Sequence, residues 1–212
     1  MSIEIFRKMV NLDDPKINIE VRDKYGNGIV IIEESDVSAG LKKVTIAGLD
    51  IKHTFAFKLD PKGYVLSPFL SNNKELHIKK VCDGVIFGFV EGELIVYLCE
   101  LKSGRATGYI NKFRSSEAFI CYLEKLAKEF FDFNERIIFK RLLFDQKKVK
   151  GTIKNKTPTN RHKLVPKNEC YNPINGSKLD SKECYDGKNK SIEIYFIHHL
   201  EENEYLNVRH LA

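Results

Sequence analysis

Two apolar runs joined by a two-residue polar turn constrain this chain more than anything else in it. Gly84-Val85-Ile86-Phe87-Gly88-Phe89-Val90 and Glu93-Leu94-Ile95-Val96-Tyr97-Leu98-Cys99 flank Glu91-Gly92. β-Branched and aromatic runs broken by so short a turn predict a β-hairpin. With Glu91-Gly92 as the turn, Val90 faces Glu93, and counting outward sets Asp83 across from Glu100. Side chains alternate along a strand, so Lys102 shares the face of Glu100 while Leu101 points into the core. The nearly all-apolar stretch from Leu94 to Cys99 predicts a buried central strand rather than a solvated edge.

The open end of this hairpin thus presents two carboxylates and an ammonium group on one surface. Directly opposed Cβ atoms lie about 4.5–5.5 Å apart, and like charges there destabilise the pair. A divalent cation reverses the sign of that interaction. Magnesium is typically held by one or two carboxylates, with water filling its other positions. The Leu101 carbonyl is available as a third hard ligand. Such an ion acidifies water and polarises a phosphoryl oxygen, while Lys102 can orient the nucleophile or offset developing negative charge. Glu-x-Lys alone is common as a solvated ion pair. Here it ends an apolar strand, has an acid in register, and precedes a Ser103-Gly104 break and an amphipathic helix.

Cys82-Asp83, a hydrophobic hairpin, Glu100-Leu101-Lys102 and then a helix resemble the core of the PD-(D/E)XK phosphodiesterase superfamily. That group includes restriction endonucleases, junction resolvases and many recombination and defence nucleases. The resemblance spans residues 75 to 145. It implies that Asp83 and Glu100 hold the metal, Mg²⁺ or Mn²⁺, and that Lys102 is the catalytic lysine. Cys82 stands where the family motif has proline. The family often places Gln or Lys in the following helix, where Lys112 is the nearest match. Many members add a Glu from a preceding helix; Glu75, Glu33 and Glu34 are the alternatives for this additional acid. The resemblance favours DNA over RNA as substrate, and pairing into a homodimer is common among enzymes of this group that cut two strands.

A chain of 212 residues, 42% apolar, can bury a sizeable core as one enzyme-sized unit. No apolar stretch approaches the roughly 20 residues needed to span a bilayer, and the N-terminus shows no signal-peptide pattern. The expectation is an intracellular, cytoplasmic protein without a membrane partner. Five cysteines agree with a reducing compartment. Cys82, Cys99 and Cys121 fall in predicted strands or the long helix and read as small core hydrophobes. Cys170 and Cys184 lie near His162 and His198-His199, but their wide spacing matches no close zinc-knuckle pattern.

The first third reads as β-rich. Ile17–Val21 and Ile29–Ile32 flank the turn-rich 23–28 segment. From Ile51 to Leu59 alternation puts Ile51, His53, Phe55, Phe57 and Leu59 on one face, predicting a half-buried strand with His53 hydrogen-bonded in the core. Ser71 to Lys80 predicts a short helix capped by Ser71 or Asn72. Thr107 to Phe131 predicts a long helix with Tyr109, Phe113, Ile120, Leu123, Ala127 and Phe130 on its apolar stripe. Arg136 to Phe144 reads as a further strand, giving strand–strand–helix–strand order. Residues 151 to 190 are polar and read as a long mobile loop, after which Ser191 to Ile197 returns as a strand.

Charge is uneven. Ten basic residues stand between Lys140 and Lys167 against Asp145 alone, a balance of +9 in a chain of net charge +6. Such a segment is the electrostatic footprint expected for phosphate backbones. Arg105, Lys112 and Arg114, just after the site, and Lys147, Lys148 and Lys150 are the candidate nucleic-acid contacts. Solvated surface charge is the competing reading for each.

These features together predict a mixed α/β (α+β) fold: a mixed central sheet flanked by helices, with a restriction-endonuclease-like core over 71–150. A β-rich part covers 1–70, and a basic, loop-rich extension with a C-terminal strand covers 151–212. The function read from them is metal-dependent hydrolysis of phosphodiester bonds. The competitor is a catalytically inactive nucleic-acid-binding or partner-binding module on the same fold. A third reading has the β-rich first third recognising a signal that controls the nuclease.

Overall fold

The computed structural model describes residues 2–24, 27–34, 39, 41–64, 67–102, 108–145, 177–185, 188–198 and 205–211. In chain order these form α1 (Ser2–Met9), β1 (Asn18–Ile19), β2 (Val21–Lys24), β3 (Asn27–Glu33), β4 (Lys43–Leu49) and β5 (Thr54–Phe57). There follow β6 (Gly84–Val90), β7 (Glu93–Lys102), α2 (Tyr109–Phe131), β8 (Ile137–Asp145), β9 (Ser177–Tyr185), β10 (Lys188–His198) and β11 (Tyr205–Asn207). One sheet of seven strands runs β1-β5-β6-β7-β8-β10-β9, and a second of four runs β11-β4-β3-β2. Both are mixed: β7–β8, β8–β10 and β11–β4 pair in parallel, the other neighbours antiparallel.

The predicted hairpin is present in the predicted register. Val90 pairs with Glu93 and Gly84 with Cys99. Glu91 and Gly92 have φ of 53° and 87°, the pair of positive values that a two-residue turn needs to match strand twist. Alternation along β7 then divides the core. Leu94, Val96 and Leu98 join Val85, Phe87, Ile3 and Phe6 of α1, and Phe113, Ile120, Leu123 and Ala127 of α2. Ile95, Tyr97, Cys99 and Leu101 pack instead with Val30, Ile32, Val44 and Ile46 of the four-stranded sheet. The large sheet is therefore a middle layer, with helices on one face and the smaller sheet on the other. A parallel β7–β8 pair needs a crossover connection, and α2 supplies it.

Because both faces are covered, β5 differs from its predicted form. Thr54 to Phe57 are all buried, including Thr54 on the expected polar side. Ile51–His53 form a 3₁₀ turn, not strand. His53 is outside the core, with its Nδ1 2.8 Å from Asp50 Oδ2. The expected helix at 71–80 is only a 3₁₀ turn over Lys74–Leu76, capped by Asn73. Phe130 is 73% exposed rather than part of the stripe, and Cys121 is exposed while Cys82 and Cys99 are buried. The returning strand near 191–197 exists as β10, parallel to β8. Within the stretch read as loop, Ser177–Tyr185 forms β9, which pairs along β10. Only Leu179, Cys184 and Tyr185 interrupt its polar sequence, so it lacks the apolar alternation that reveals a half-buried strand. Most of the rest of that loop lies outside the described residues. α1 had no sequence reading, although Ile3 and Phe6 are fully buried at helical spacing.

Elements from distant parts of the chain share layers. β1 and β5 from the first 70 residues extend the sheet of the central hairpin, and β11 adds to β4. Gly48 in β4 has φ of 83°, and an added Cβ would lie 2.0 Å from Asn207 Oδ1. Arg209 Nε donates to the Gly48 carbonyl at 3.0 Å. Gly48→Ala is expected to lower stability by at least about 2 kcal/mol through left-handed strain and this clash. Urea unfolding with an unchanged m-value checks it.

Candidate active site

Asp83 lies one step beyond the β6 ladder, next to Glu100 in the register that pairs Gly84 with Cys99. Its place is held by three groups. The Leu101 backbone N–H donates to Asp83 Oδ2 at 2.6 Å. Lys112 Nζ lies 3.3 Å from Asp83 Oδ1. The preceding residue is tied to α2, because the Cys82 N–H donates to Ser116 Oγ at 2.8 Å. Val85 and Phe87 face the helical layer, and strict alternation turns Asp83 the same way.

Glu100 and Lys102 continue the helix-facing series of Leu94, Val96 and Leu98, as the period of two requires. Glu100 is fully buried, yet its Oε1 is 2.7 Å from Lys102 Nζ and 2.8 Å from Lys112 Nζ. Its Oε2 has no hydrogen-bond partner among the described residues. Lys112 in the first turn of α2 is thus a shared counter-ion, within ion-pair distance of both acids.

Electrostatics follow from that geometry. Burial first, then the adjacent Asp83 carboxylate, push the Glu100 carboxyl up to about 7, against the pull of Lys112 and Lys102. Burial works against the Lys112 ammonium, but Asp83 and Glu100 outweigh it and raise its pKa. Burial pushes the Cys82 and Cys99 thiols well up, so neither is placed to act as a thiolate nucleophile.

A charged cleft of about 630 Å³ opens onto Asp83 and Lys112. Glu33, Glu34 and Asp60 line it together with Lys16, Lys58 and Lys62. Two of the three candidate additional acids, Glu33 and Glu34, therefore share the cleft. The third, Glu75, is exposed on the 3₁₀ turn and lies outside the cleft lining. Among the described residues no group of three His, Cys, Asp or Glu side chains is arranged to hold a metal ion. Any ion here would rest on Asp83, Glu100, backbone oxygen and water.

Of the candidate nucleic-acid contacts, Lys112 is at the site. Arg114, two residues on, is turned roughly 200° around the helix and lines an apolar groove of about 730 Å³ with Phe69, Leu76 and Tyr122. Arg105, Lys147, Lys148 and Lys150 lie outside the described residues. Lys140 and Arg141, which open the basic segment, are engaged internally. Lys140 Nζ donates to the Leu211 carbonyl at 2.5 Å, and Arg141 pairs with Glu117. Lys16, Lys58, Asp60 and Lys62 had no functional reading from sequence. The β5–β6 pairing of Phe57 with Val85 brings the segment after β5 beside Asp83, and no sequence pattern specifies that register.

No family model, curated protein or solved structure matches the chain. No described helix is long and apolar enough to cross a membrane.

The raised Glu100 pKa has a defined stability signature. Between the ordinary carboxylate value of 4.5 and about 7 the folded chain keeps a proton here that the unfolded chain has lost. Stability attributable to Glu100 therefore falls as pH rises through that window. In EDTA, wild type should lose about 3 kcal/mol relative to Glu100→Gln between pH 4.5 and pH 7.5. Paired denaturant titrations across that range check it; parallel curves would contradict it.

Proposed function

We propose that this chain is a metal-dependent nuclease that hydrolyses phosphodiester bonds, with a restriction-endonuclease-like core built on β5–β6–β7, α2 and β8. The observation that carries the reading is the convergence of Asp83 and Glu100 on a single cation, with Lys102 on the same face. Two acids side by side at the edge of a core repel each other, and a shared divalent ion would reverse the sign of that interaction. The strand–strand–helix–strand order supports the reading, as does Lys112, which stands where the resembled superfamily often has Lys or Gln.

The donor set fits Mg²⁺ or Mn²⁺. The Asp83 and Glu100 carboxylates are hard oxygen donors, and Glu100 Oε2 is a buried oxygen with no described partner. The Leu101 N–H points at Asp83, so its carbonyl lies along the same edge of β7. A bound divalent ion supplies Lewis acidity toward a phosphoryl oxygen and acidifies water. Asp83 and Glu100 would hold the ion. Lys102 positions the attacking water and offsets the charge that grows on the phosphoryl oxygens. Lys16, Lys58 and Lys62 line the route a phosphate backbone takes to Asp83. DNA is the favoured substrate on the superfamily resemblance.

One observation favours a second reading. Lys112 and Lys102 already compensate both acids, as they would in a nucleic-acid-binding or partner-binding module whose site has lost its chemistry. Incubation with DNA and with RNA, with and without Mg²⁺ or Mn²⁺, separates the two. The nuclease reading expects cleavage that EDTA abolishes; binding without cleavage supports the module. Asp83→Ala and Lys102→Ala should each lower cleavage by about a hundredfold or more, and for Lys102→Ala the oligonucleotide affinity should stay near wild type. A fully active Lys102→Ala protein ends the assignment.

A further inference from the structure

We infer that Lys112 is the stand-in for the divalent ion: its ammonium holds the cation position between Asp83 and Glu100, and metal entry turns it out into the cleft to meet a substrate phosphate. This rests on the metal-dependent reading above and adds a second role for a residue outside the Asp83, Glu100, Lys102 set.

Geometry makes the two cations exclusive. Lys112 Nζ is 3.3 Å from Asp83 Oδ1 and 2.8 Å from Glu100 Oε1. An ion bound to those oxygens at about 2.0–2.1 Å would share their lone pairs and lie within a few ångströms of the ammonium. Positive charges that close, in a site where Glu100 is fully buried, repel strongly. One must leave. Among the described residues Lys102 pairs with Glu100, whereas Lys112 spans both acids and also lines the cleft. A lysine has a flexible four-carbon stem and three rotatable donors, so the ammonium can swing away without moving α2.

The cleft gives the displaced group a task. Among the described residues its charged lining balances: Lys16, Lys58, Lys62 and Lys112 stand against Glu33, Glu34, Asp60 and Asp83. A dication on Asp83 and Glu100 tips this balance to positive and frees the nearest ammonium. Metal and polyanion therefore promote each other's binding, and by linkage the coupling is reciprocal. Without the ion, Lys112 satisfies the acids, and the described lining of the cleft carries no net charge.

The test is calorimetric titration of the full chain with Mn²⁺ at pH 8, comparing wild type with Lys112→Met, Lys112→Arg and Asp83→Asn. The stand-in role expects Lys112→Met to bind Mn²⁺ at least about tenfold more tightly, because the competing cation is gone. Lys112→Arg keeps the charge and should bind as wild type, and Asp83→Asn should bind more weakly than either. If Lys112→Met does not fold without metal, Lys112→Gln takes its place, and the Mn²⁺-induced rise in melting temperature should exceed that of wild type. Wild-type binding that depends on Asp83 but is unchanged or weakened by Lys112→Met overturns the stand-in role alone. Absence of Mn²⁺ binding in every protein overturns it together with the metal-dependent reading.

Discussion

A carboxylate with no solvent exposure governs the arrangement around it. Glu100 sits in the helix-facing row of β7, where every earlier position is filled by Leu or Val. Isolated ionised carboxylates are too costly to bury, so they are paired or protonated. This chain does both in part: two ammonium groups approach one oxygen, and the carboxyl pKa rises to about 7. Lys112 reaches Glu100 only because α2 lies across the sheet at this height. α2 in turn is pinned there by Phe113 and by the hydrogen bond from Cys82 to Ser116. The acid thus depends on the helix, and the helix on the hairpin that carries the acid.

Three layers make this possible. A sheet covered on one face only would leave Leu101 or Glu100 in water. With helices above and a second sheet below, alternate residues of β7 enter different cores. Leu101 joins one with Ile32 and Phe144, while its neighbours Glu100 and Lys102 face Lys112. The backbone between them serves as well, since the Leu101 N–H fixes Asp83. Polar and apolar demands are separated by one residue of strand.

How much of this is readable from sequence depends on how local the determining interactions are. The hairpin register was legible because Glu91-Gly92 sets it within two residues, and Asp83, Glu100 and Lys102 followed by counting. The long helix was legible from its stripe, but not that Lys112 would bridge both acids, since that depends on the height at which α2 crosses the sheet. The cleft lysines and Asp60 were illegible because the β5–β6 register joins segments separated by a long, Pro- and Gly-punctuated stretch. His53 and Thr54 misled for a related reason: alternation assumes one wet face, and β5 has none. β9 was missed because a polar edge strand carries no periodic apolar signal, its pairing being supplied by β10.

The four-stranded sheet closes late in sequence. β4 receives its outer neighbour only when Tyr205 pairs with Thr45, and Arg209 latches onto Gly48 across 161 positions. During synthesis on the ribosome, the nascent β4 edge must wait for this distant segment with its amide and carbonyl groups unpaired. An unpaired edge of that kind is a template for intermolecular association, and remote pairings of this sort slow folding. Until Tyr205–Asn207 docks, that bare edge is open to another strand, so the pairing of β11 with β4 also shields the sheet from its own copies.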